Sequence, residues 1–339
     1  MRRHSQPSKV TAMPDATPAE TAPSVQTAPG AAIKLWQSFR RIGLSVAIAY
    51  VLICVGMVMM ETRLVFPGAY LAATPEFDGP HFSTSDPITN RIVTLDYLAE
   101  DEMNLEGRLI VRDDAERVIL FLHGNEIRAA EMDHWTLRLS ELMNATVLTA
   151  EYRGFQGEDF TPTETTCIAD AYSALKKLST ITNTPQKQVT IYSRSLGGGI
   201  AGGLVELLQK EGTPPDSLIL DRTFDSTVSV GADRFVWLPV QLLMRNRFDT
   251  ASRLADFEGC VVQIHGTPDR IVPMKNGKQL FDSLRTPHKS WIEVPDMYHN
   301  DRISDATLKE ALAELQRLES EFATTRTVST TDPEPVDPK

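Results

Sequence analysis

Three residues along the chain have the types and the order needed for nucleophilic catalysis by a serine. Ser195 lies in the stretch TIYSRSLGGGIAGG, where a β-branched and aromatic run stops and a glycine-rich, helix-compatible segment begins. A serine hydroxyl is a weak nucleophile that needs a base, and the base needs an acid to orient it. Asp269 and His299 each follow a short apolar run further along the chain. The order serine, acid, histidine is therefore available.

The spacing around Ser195 fits a sharp turn between a strand and a helix. Side chains two residues before and two residues after such a serine would collide, so both positions favour small residues, as in G-x-S-x-G. Ser193 and Gly197 occupy these positions, so serine replaces the first glycine. The new helix would also offer its N-terminal amides to a developing negative charge. The alternative interpretation is an ordinary glycine-rich turn.

The acid and the base are chosen by their place after strands. Asp269 in IHGTPDRIVP and His299 in VPDMYHND follow predicted buried strands, where open α/β sheets carry their sites. Asp221, which ends the strand after the serine, is the alternative acid. Three other histidines are weaker candidates because they lie in a disordered head, before a strand and in a buried turn, respectively: His4, His288 and His265.

A tetrahedral oxyanion needs two backbone amides. One should come from the residue after the nucleophile, Leu196, and the other from a loop after an earlier strand. The stretch FLHGNEIRAAE supplies that loop, because His123 and Gly124 predict a tight turn that points the amide of Asn125 inward. Taken alone, the same residues could form a plain turn after a strand.

The elements that must position these residues alternate between strand-like and helix-like segments. Short, largely apolar runs predict strands buried on both faces, as in a parallel sheet covered by helices. Amphipathic segments such as 163–179 and 199–210 lie between them, so the pattern is βαβ and the fold class is α/β. Two earlier strands, near 91–98 and 106–112, are expected to form an antiparallel edge. The remaining predicted strands are 117–124, 145–154, 188–193, 216–221, 260–266 and 290–296.

An uncharged apolar run predicts a transmembrane helix ahead of this domain. Residues 42–60 carry no charge, and as a helix they would reach roughly 28 Å, close to the thickness of the hydrocarbon core. No small-residue cleavage site follows, which disfavours a signal peptide. Lys34, Arg40 and Arg41 precede the run, whereas only Arg63 follows nearby. The positive-inside rule then predicts a cytoplasmic N-terminus and an extracytoplasmic C-terminal domain.

The other segments are assigned by composition. Residues 1–33 are rich in Pro, Ala, Thr and Ser and are predicted to be disordered, as is the tail over 324–339. Residues 34–41 form a basic juxtamembrane segment. Residues 61–323 form the folded domain, which ends in a charged helix over 304–323.

Charge and cysteine content exclude several classes of function. The chain of 339 residues has a net charge of −11, which argues against a nucleic-acid partner because such a partner needs a basic face. Cys54, Cys167 and Cys260 include no C-x-x-C pair, so neither zinc nor thiol-redox chemistry is expected and each is predicted to be a buried structural thiol. A serine triad needs no metal and no organic cofactor.

Together, these motifs resemble those of the α/β-hydrolase-domain serine hydrolases. The resemblance covers about residues 61–322 and rests on FLHGN, EYRGF, SRSLGGG, RFDTASRL, HGTPDRIVP and YHND. It is closest to the subgroup with a single N-terminal membrane anchor, which includes protein depalmitoylases and lysophospholipid or monoacylglycerol lipases. Serine aminopeptidase-like hydrolases share the fold. The resemblance implies an α/β-hydrolase fold with nucleophile Ser195, acid Asp269, base His299 and oxyanion-hole amides of Asn125 and Leu196.

Two features bear on the substrate. The family pattern YRGYG-x-S-x-G-x-P is YRGFQGEDFTP here, so Gln156, Glu158 and Phe160 replace small residues and make the loop bulkier and more acidic. The resemblance also places a small cap at about 226–256, which contains the apolar run FVWLPVQLLM (235–244). That run is either a cap helix packed on the core or a surface that binds an acyl chain or touches a membrane.

The sequence therefore predicts a membrane-anchored hydrolase that cleaves carboxylic esters or thioesters of a small-molecule or lipid acyl substrate. A peptidase or amidase of the same fold is one alternative, and Glu158 and Asp159 could recognise its free amine. A membrane-tethered binding protein without catalysis is another, and Ser193 at the usual glycine position is its best support.

Overall fold

The computed structural model describes residues 29–71, 92–157 and 159–330. The chain divides into two units, Met1–Ile53 and Cys54–Lys339. A long helix, α1 (Pro29–Val65), supplies the described residues of the first unit and continues into the second. Among the helices of the described ranges, it alone is long and apolar enough to cross a membrane. The predicted span 42–60 lies within it, and the helix begins inside the segment predicted to be disordered.

The second unit is built on a sheet of eight strands. They are β1 (Ile92–Leu98), β2 (Asn104–Ile110), β3 (Arg117–Leu122), β4 (Ala145–Thr149), β5 (Thr190–Arg194), β6 (Ser217–Asp221), β7 (Cys260–Gly266) and β8 (Lys289–Val294). Their order in the sheet is β1-β2-β4-β3-β5-β6-β7-β8. The β1–β2 and β2–β4 pairs are antiparallel and all other pairs are parallel. The predicted parallel sheet with an antiparallel edge is confirmed.

Helices cover both faces of this sheet. They are α2 (Asp133–Met143), α3 (Glu164–Thr182), α4 (Leu196–Lys210), α5 (Thr227–Arg234), α6 (Val240–Leu243), α7 (Thr250–Leu254), α8 (Met274–Ser283) and α9 (Asp305–Thr330). Alternate side chains of β3 point to opposite faces, as strand geometry requires. Leu120 packs in the core layer that includes α3 and α4, whereas Phe121 packs in the layer that includes α2 and α9.

Two helices differ from the expectation. Helix α4 begins at Leu196 rather than at residue 199, because the glycines that weaken its sequence signal lie directly behind the turn and pack against neighbouring elements. Helix α9 runs to Thr330, so the tail predicted to be disordered begins within it. The first proline after the predicted helix is Pro333, so no helix breaker precedes that point. Residues 331–339 lie outside the described residues.

Candidate active site

The three predicted catalytic side chains lie within hydrogen-bond distance of one another. His299 Nε2 is 2.9 Å from Ser195 Oγ, and His299 Nδ1 is 2.7 Å from Asp269 Oδ2. All three residues are buried. They follow β5, β7 and β8, whose carboxyl ends meet at one edge because these strands run parallel. The tautomer that donates from Nδ1 to Asp269 leaves Nε2 to accept the serine hydroxyl proton.

Ser195 occupies a strained turn between β5 and α4. Its φ is 53° and its ψ is −119°, in the left-handed half of the map that side chains rarely adopt. Its N–H donates to Asp221 O (2.9 Å), and its carbonyl accepts from Thr223 Oγ1 (2.8 Å). A Cβ on Gly197 would lie 2.1 Å from Leu122 O, so only glycine fits behind the serine. These contacts hold the turn in place.

Ser193 stands where the family has glycine, and the structure accommodates it. The residue is fully buried within β5. Its hydroxyl donates to the carbonyl of Ile219 on the neighbouring strand β6, at 3.3 Å. The serine therefore satisfies its own polar group inside the sheet, and the turn that carries Ser195 forms beside it.

Backbone amides fix the orientation of the Asp269 carboxylate. Its Oδ1 accepts from the N–H groups of Ile271 and Val272, both at 2.9 Å, and this leaves Oδ2 for His299. His265 also approaches Oδ2, at 3.7 Å, and its Nε2 donates to Val272 O at 3.0 Å. Burial lowers the pKa of His265. This residue is buried as predicted, but it lies in β7 rather than in a turn.

Asp221, the alternative acid, is engaged elsewhere. It is fully buried, and its two oxygens accept from Arg222 Nε (2.7 Å) and Nη2 (2.9 Å). Burial alone would raise the pKa of Asp221, but the charges of Arg222 and Arg194 outweigh it and hold the pKa below its ordinary value. The geometry therefore favours Asp269 as the acid that orients the histidine.

Two arginines that the sequence analysis did not identify bind the backbone of the histidine loop. Arg222 Nη1 donates to the carbonyls of His299 (2.8 Å) and Asp301 (2.7 Å), and Arg194 Nη2 donates to His299 O (3.1 Å). Arg222 is fully buried. A signal was present in the sequence, since an arginine directly after the buried strand LILD is costly unless it is paired.

The loop after β3 is fixed by a buried histidine and carboxylate. His123 Nδ1 donates to Gly124 O (2.8 Å), and His123 Nε2 lies 3.1 Å from Glu151 Oε1. Glu151 Oε2 accepts from Ala129 N at 2.9 Å, which closes the other end of the loop. Asn125 lies in this loop and lines the same pocket as Ser195.

Leu196 is the first residue of α4, so its N–H has no acceptor within the helix. It also lines the pocket beside Ser195 and Asn125. The structure thus places the two predicted oxyanion-hole residues at the same site as the serine.

A pocket of about 520 Å³ opens beside Ser195. Most of its lining is apolar and comes from the end of α1, the cap segment and the loop after β7. The run FVWLPVQLLM divides between two surfaces. Its pocket-lining members are Phe235, Leu238, Val240, Leu243 and Met244. Its exposed members include Val236, Trp237 and Leu242.

Two of the residues that replace small ones in YRGFQGEDFTP, Gln156 and Phe160, contact other residues of the domain. Gln156 Oε1 accepts from Glu106 N at 3.3 Å, and the Phe160 ring lies 5.3 Å from the Arg153 guanidinium. Neither Gln156 nor Phe160 is among the described residues that line the pocket. Glu158 lies outside the described residues.

The cysteines are free thiols. Burial raises the pKa of Cys167 well above its ordinary value and that of Cys260 to about 12, so both thiols stay protonated and unreactive at neutral pH. Cys54 is only partly buried. In the described part of the chain, His, Cys, Asp and Glu form no cluster of three or more that could hold a metal ion.

Two relatives align with about half of the chain. An uncharacterised protein of Mycobacterium tuberculosis is 32% identical over 159 residues, which cover 47% of this chain and 54% of that protein. Lysophosphatidylserine lipase ABHD12 of Danio rerio is 30% identical over 182 residues, which cover 49% of this chain and 46% of that protein. The chain therefore spans about half the length of these relatives.

Solved structures share the fold. The thermostable carboxylesterase EstE1, cloned from a metagenomic library, superposes with a TM-score of 0.54 at 16% identity, covering 78% of this chain and 95% of that one. No protein-family model matches the chain. The mostly parallel sheet, the turn at Ser195 and these similarities all indicate the same fold. The chain therefore has the α/β-hydrolase fold and resembles the α/β-hydrolase-domain serine hydrolases.

Proposed function

We propose that this protein is a membrane-anchored serine hydrolase that cleaves carboxylic ester or thioester bonds in acyl lipids or acylated substrates. One observation carries the proposal: Ser195, His299 and Asp269 form a hydrogen-bonded chain, and Ser195, on its strained turn, lines an apolar pocket. A nucleophile, a base and an orienting acid at these distances are what acyl transfer to serine requires.

Each residue has a defined part in the proposed mechanism. His299 Nε2 takes the proton of Ser195 Oγ as the oxygen attacks the acyl carbonyl, and Asp269 holds the imidazole and stabilises the imidazolium. The amides of Leu196 and Asn125 bind the oxyanion, where losing one donor typically costs on the order of 10²–10³ in rate. His299 then protonates the leaving alcohol or thiol. Water hydrolyses the acyl-enzyme, with His299 again acting as the base.

The choice of an acyl substrate is supported by the pocket and by the relatives. An apolar pocket of about 520 Å³ is within the size range that holds small-molecule ligands. One relative is named a lysophosphatidylserine lipase, and one structural neighbour is a carboxylesterase. Proposed substrates are therefore esters or thioesters of fatty acids.

Membrane attachment is assigned to residues 42–60, preceded by the basic segment 34–41. The orientation rests on Lys34, Arg40 and Arg41, which favour a cytoplasmic N-terminus and an extracytoplasmic catalytic domain. Residues 61–323 form the hydrolase domain. Its cap, at about 226–256, contains the short helices α5, α6 and α7.

The other interpretations receive less support from the structure. Asp159, one candidate for amine recognition by a peptidase, is exposed and is not among the described pocket-lining residues. Ser193, the main argument for an inactive binding protein, is accommodated without disturbing the triad. An esterase therefore remains the function that the site supports best.

The first experiment is fluorophosphonate labelling of the detergent-solubilised full chain beside Ser195→Ala and Ser193→Ala. We expect label on the wild type and on Ser193→Ala, and none on Ser195→Ala, because Ser195 Oγ contacts the proposed base whereas Ser193 Oγ donates to Ile219 O. A matched panel of acyl esters, thioesters and aminoacyl amides then identifies the bond. Failure of the wild type to label, under conditions where a control hydrolase does, would favour the binding-protein interpretation.

A further inference from the structure

We infer that the end of α1, residues 54–65, is one wall of the substrate pocket and selects the acyl chain. The inference rests on the proposed function, since it concerns the same pocket. The helix would then be part of the substrate site in addition to holding the domain at a membrane. The substrate class that follows is an amphiphile with a long acyl chain, rather than a short water-soluble ester.

The wall is a single face of the helix. Its pocket-lining residues are Met57, Val58, Glu61, Leu64 and Val65. These positions recur at the three- and four-residue intervals that place side chains on one side of a helix. All but Glu61 are aliphatic or thioether side chains, which suit a hydrocarbon chain. Apolar side chains of the cap and Ser195 line the same cavity.

Hydrogen bonds from Arg245 and Asn246 to the buried carboxylate of Glu61, together called the clasp, join this helix to the segment that ends the cap. Glu61 is 5% exposed. Its Oε1 accepts from the N–H groups of Arg245 and Asn246, both at 2.7 Å, and its Oε2 accepts from Arg245 Nε at 2.8 Å. Arg245 Nη2 in turn donates to Val58 O at 3.2 Å. The helix and the end of the cap are therefore fixed to each other.

The clasp continues into the body of the domain. Asn246 Oδ1 accepts from Glu164 N at the start of α3 (2.8 Å), and Asn246 O accepts from Thr227 Oγ1 at the start of α5 (2.7 Å). Met57 also packs with the small apolar cluster of the cap that includes Val228 and Leu238. The wall is thus linked through hydrogen bonds to the cap and to the start of α3.

The last residue of the helix touches the proposed oxyanion loop. Asn125 Nδ2 donates to Val65 O at 3.2 Å, and Gly68 N donates to Asn125 O at 2.9 Å. The wall therefore runs from the clasp at Glu61 to the residue whose amide would hold the acyl carbonyl. An acyl chain bound with its carbonyl at Ser195 would extend along this face.

The wall overlaps the end of the apolar run. Met57 and Val58 fall within the predicted span 42–60, and Leu64 and Val65 follow it. A chain that lies against these residues is at the point where the predicted span ends. A lipid or acylated substrate held in the same membrane would reach the pocket there without passing through water. A short, water-soluble ester needs no such route.

Two methionines on this helix provide a matched test. Met57 lines the pocket, whereas Met59 is 79% exposed and is not among the described lining residues. Met57→Trp should fill the pocket and lower the ratio of kcat/KM for palmitoyl over acetyl p-nitrophenyl esters by about tenfold or more, as steric selection in apolar pockets does. Met59→Trp should leave that ratio unchanged. Leu64→Trp gives a second variant on the wall if Met57→Trp folds poorly.

Binding separates this inference from the proposed chemistry. A non-hydrolysable palmitoyl ether is titrated into the Ser195→Ala full chain, with and without Met57→Trp or Met59→Trp. Weaker binding with Met57→Trp alone supports the wall even if no ester is hydrolysed, which would overturn only the proposed function. Equal binding by the two tryptophan variants, or an equal palmitoyl-to-acetyl ratio, overturns the wall whether or not the protein is an esterase.

Discussion

Two histidines contact the carboxylate of Asp269, and their surroundings differ. His299 Nδ1 lies 2.7 Å from Asp269 Oδ2, and its other nitrogen lies 2.9 Å from Ser195 Oγ. His265 Nε2 lies 3.7 Å from the same carboxylate oxygen and donates to Val272 O. One imidazole thus bridges the proposed acid and the proposed nucleophile, while the other links the loop of Asp269 to the sheet.

Their burial and backbone support differ as well. His299 lies on a loop whose own carbonyl is held by Arg194 and Arg222. His265 is fully buried at the end of β7, and its ring stacks on Trp291 with centroids 5.9 Å apart. Burial lowers the pKa of His265, so this ring stays neutral.

If His299 is the base as proposed, proximity to a carboxylate does not by itself make a histidine a base. The role is decided by what the second nitrogen can reach, and by whether the charged form can be stabilised there. In the proposed mechanism His299 takes a proton from Ser195 and passes it to a leaving group, whereas His265 is fully buried away from Ser195. The following variants test this difference, beginning with the largest expected effect.

Removing the proposed base should have the largest effect. In His299→Ala, we expect kcat for a p-nitrophenyl ester to fall on the order of 10⁴–10⁶, because triad residues act as a unit. His265→Gln keeps a donor for Val272 O, and its kcat should stay within about tenfold of the wild-type value. The reason is that His265 neither lines the pocket nor takes part in the hydrogen bonds among Ser195, His299 and Asp269. A large loss in His265→Gln with activity retained in His299→Ala would reverse the two roles.

The support of the His299 loop should have an intermediate effect. Arg222→Lys keeps a positive charge beside Asp221 but loses the planar fork that binds the loop carbonyls. We expect kcat to fall by about 10–100-fold with little change in KM, because a small misplacement of a catalytic group is costly. Steady-state kinetics on one ester, together with the rate of fluorophosphonate labelling, measure this.

Arg194→Met is the companion variant, because it removes one hydrogen bond to His299 O and one nearby positive charge, and leaves the hydrogen bonds between Arg222 and Asp221 in place. It should show a smaller loss of kcat in the same direction. A lower melting temperature with unchanged kcat in both variants would mean that these arginines stabilise the fold without positioning the histidine.

Much of the candidate active site could be predicted from the sequence, because its geometry follows from the order of the strands and of the residues that follow them. Parallel strands bring their carboxyl ends to one edge, so residues after β5, β7 and β8 had to meet. The structure places Ser195, Asp269 and His299 together there. Gly197 similarly indicates, from the sequence alone, that the backbone behind the turn makes a close contact.

The remaining features depend on contacts between distant segments. Arg222 acts on carbonyls of a loop far along the chain, and no local pattern shows which loop it reaches. The pocket wall at Met57 and Leu64 has the same apolar composition that predicts a membrane span, so composition alone cannot separate the two roles. The extension of α9 to Thr330 follows from the lack of a helix breaker, which composition-based assignment of disorder overlooked.

The smallest effect concerns the pH dependence of stability and tests whether His265 is neutral in the folded state. Burial lowers its pKa from the ordinary value of 6.5, so the unfolded chain takes up this proton first as the pH falls. Wild-type stability should therefore include a contribution that is present above pH 6.5 and is lost as the pH falls below it.

His265→Gln cannot take up that proton. Its free energy of unfolding should therefore fall less steeply than that of the wild type between about pH 7 and pH 5, by at most about 1.4 kcal/mol per pH unit. Melting curves of both full chains in the same detergent at several pH values measure the difference, and the other histidines cancel because both chains contain them. Parallel curves would mean that His265 keeps its ordinary affinity for protons when folded. It would then be protonated beside Asp269 at low pH, and the contrast with His299 would rest on geometry alone.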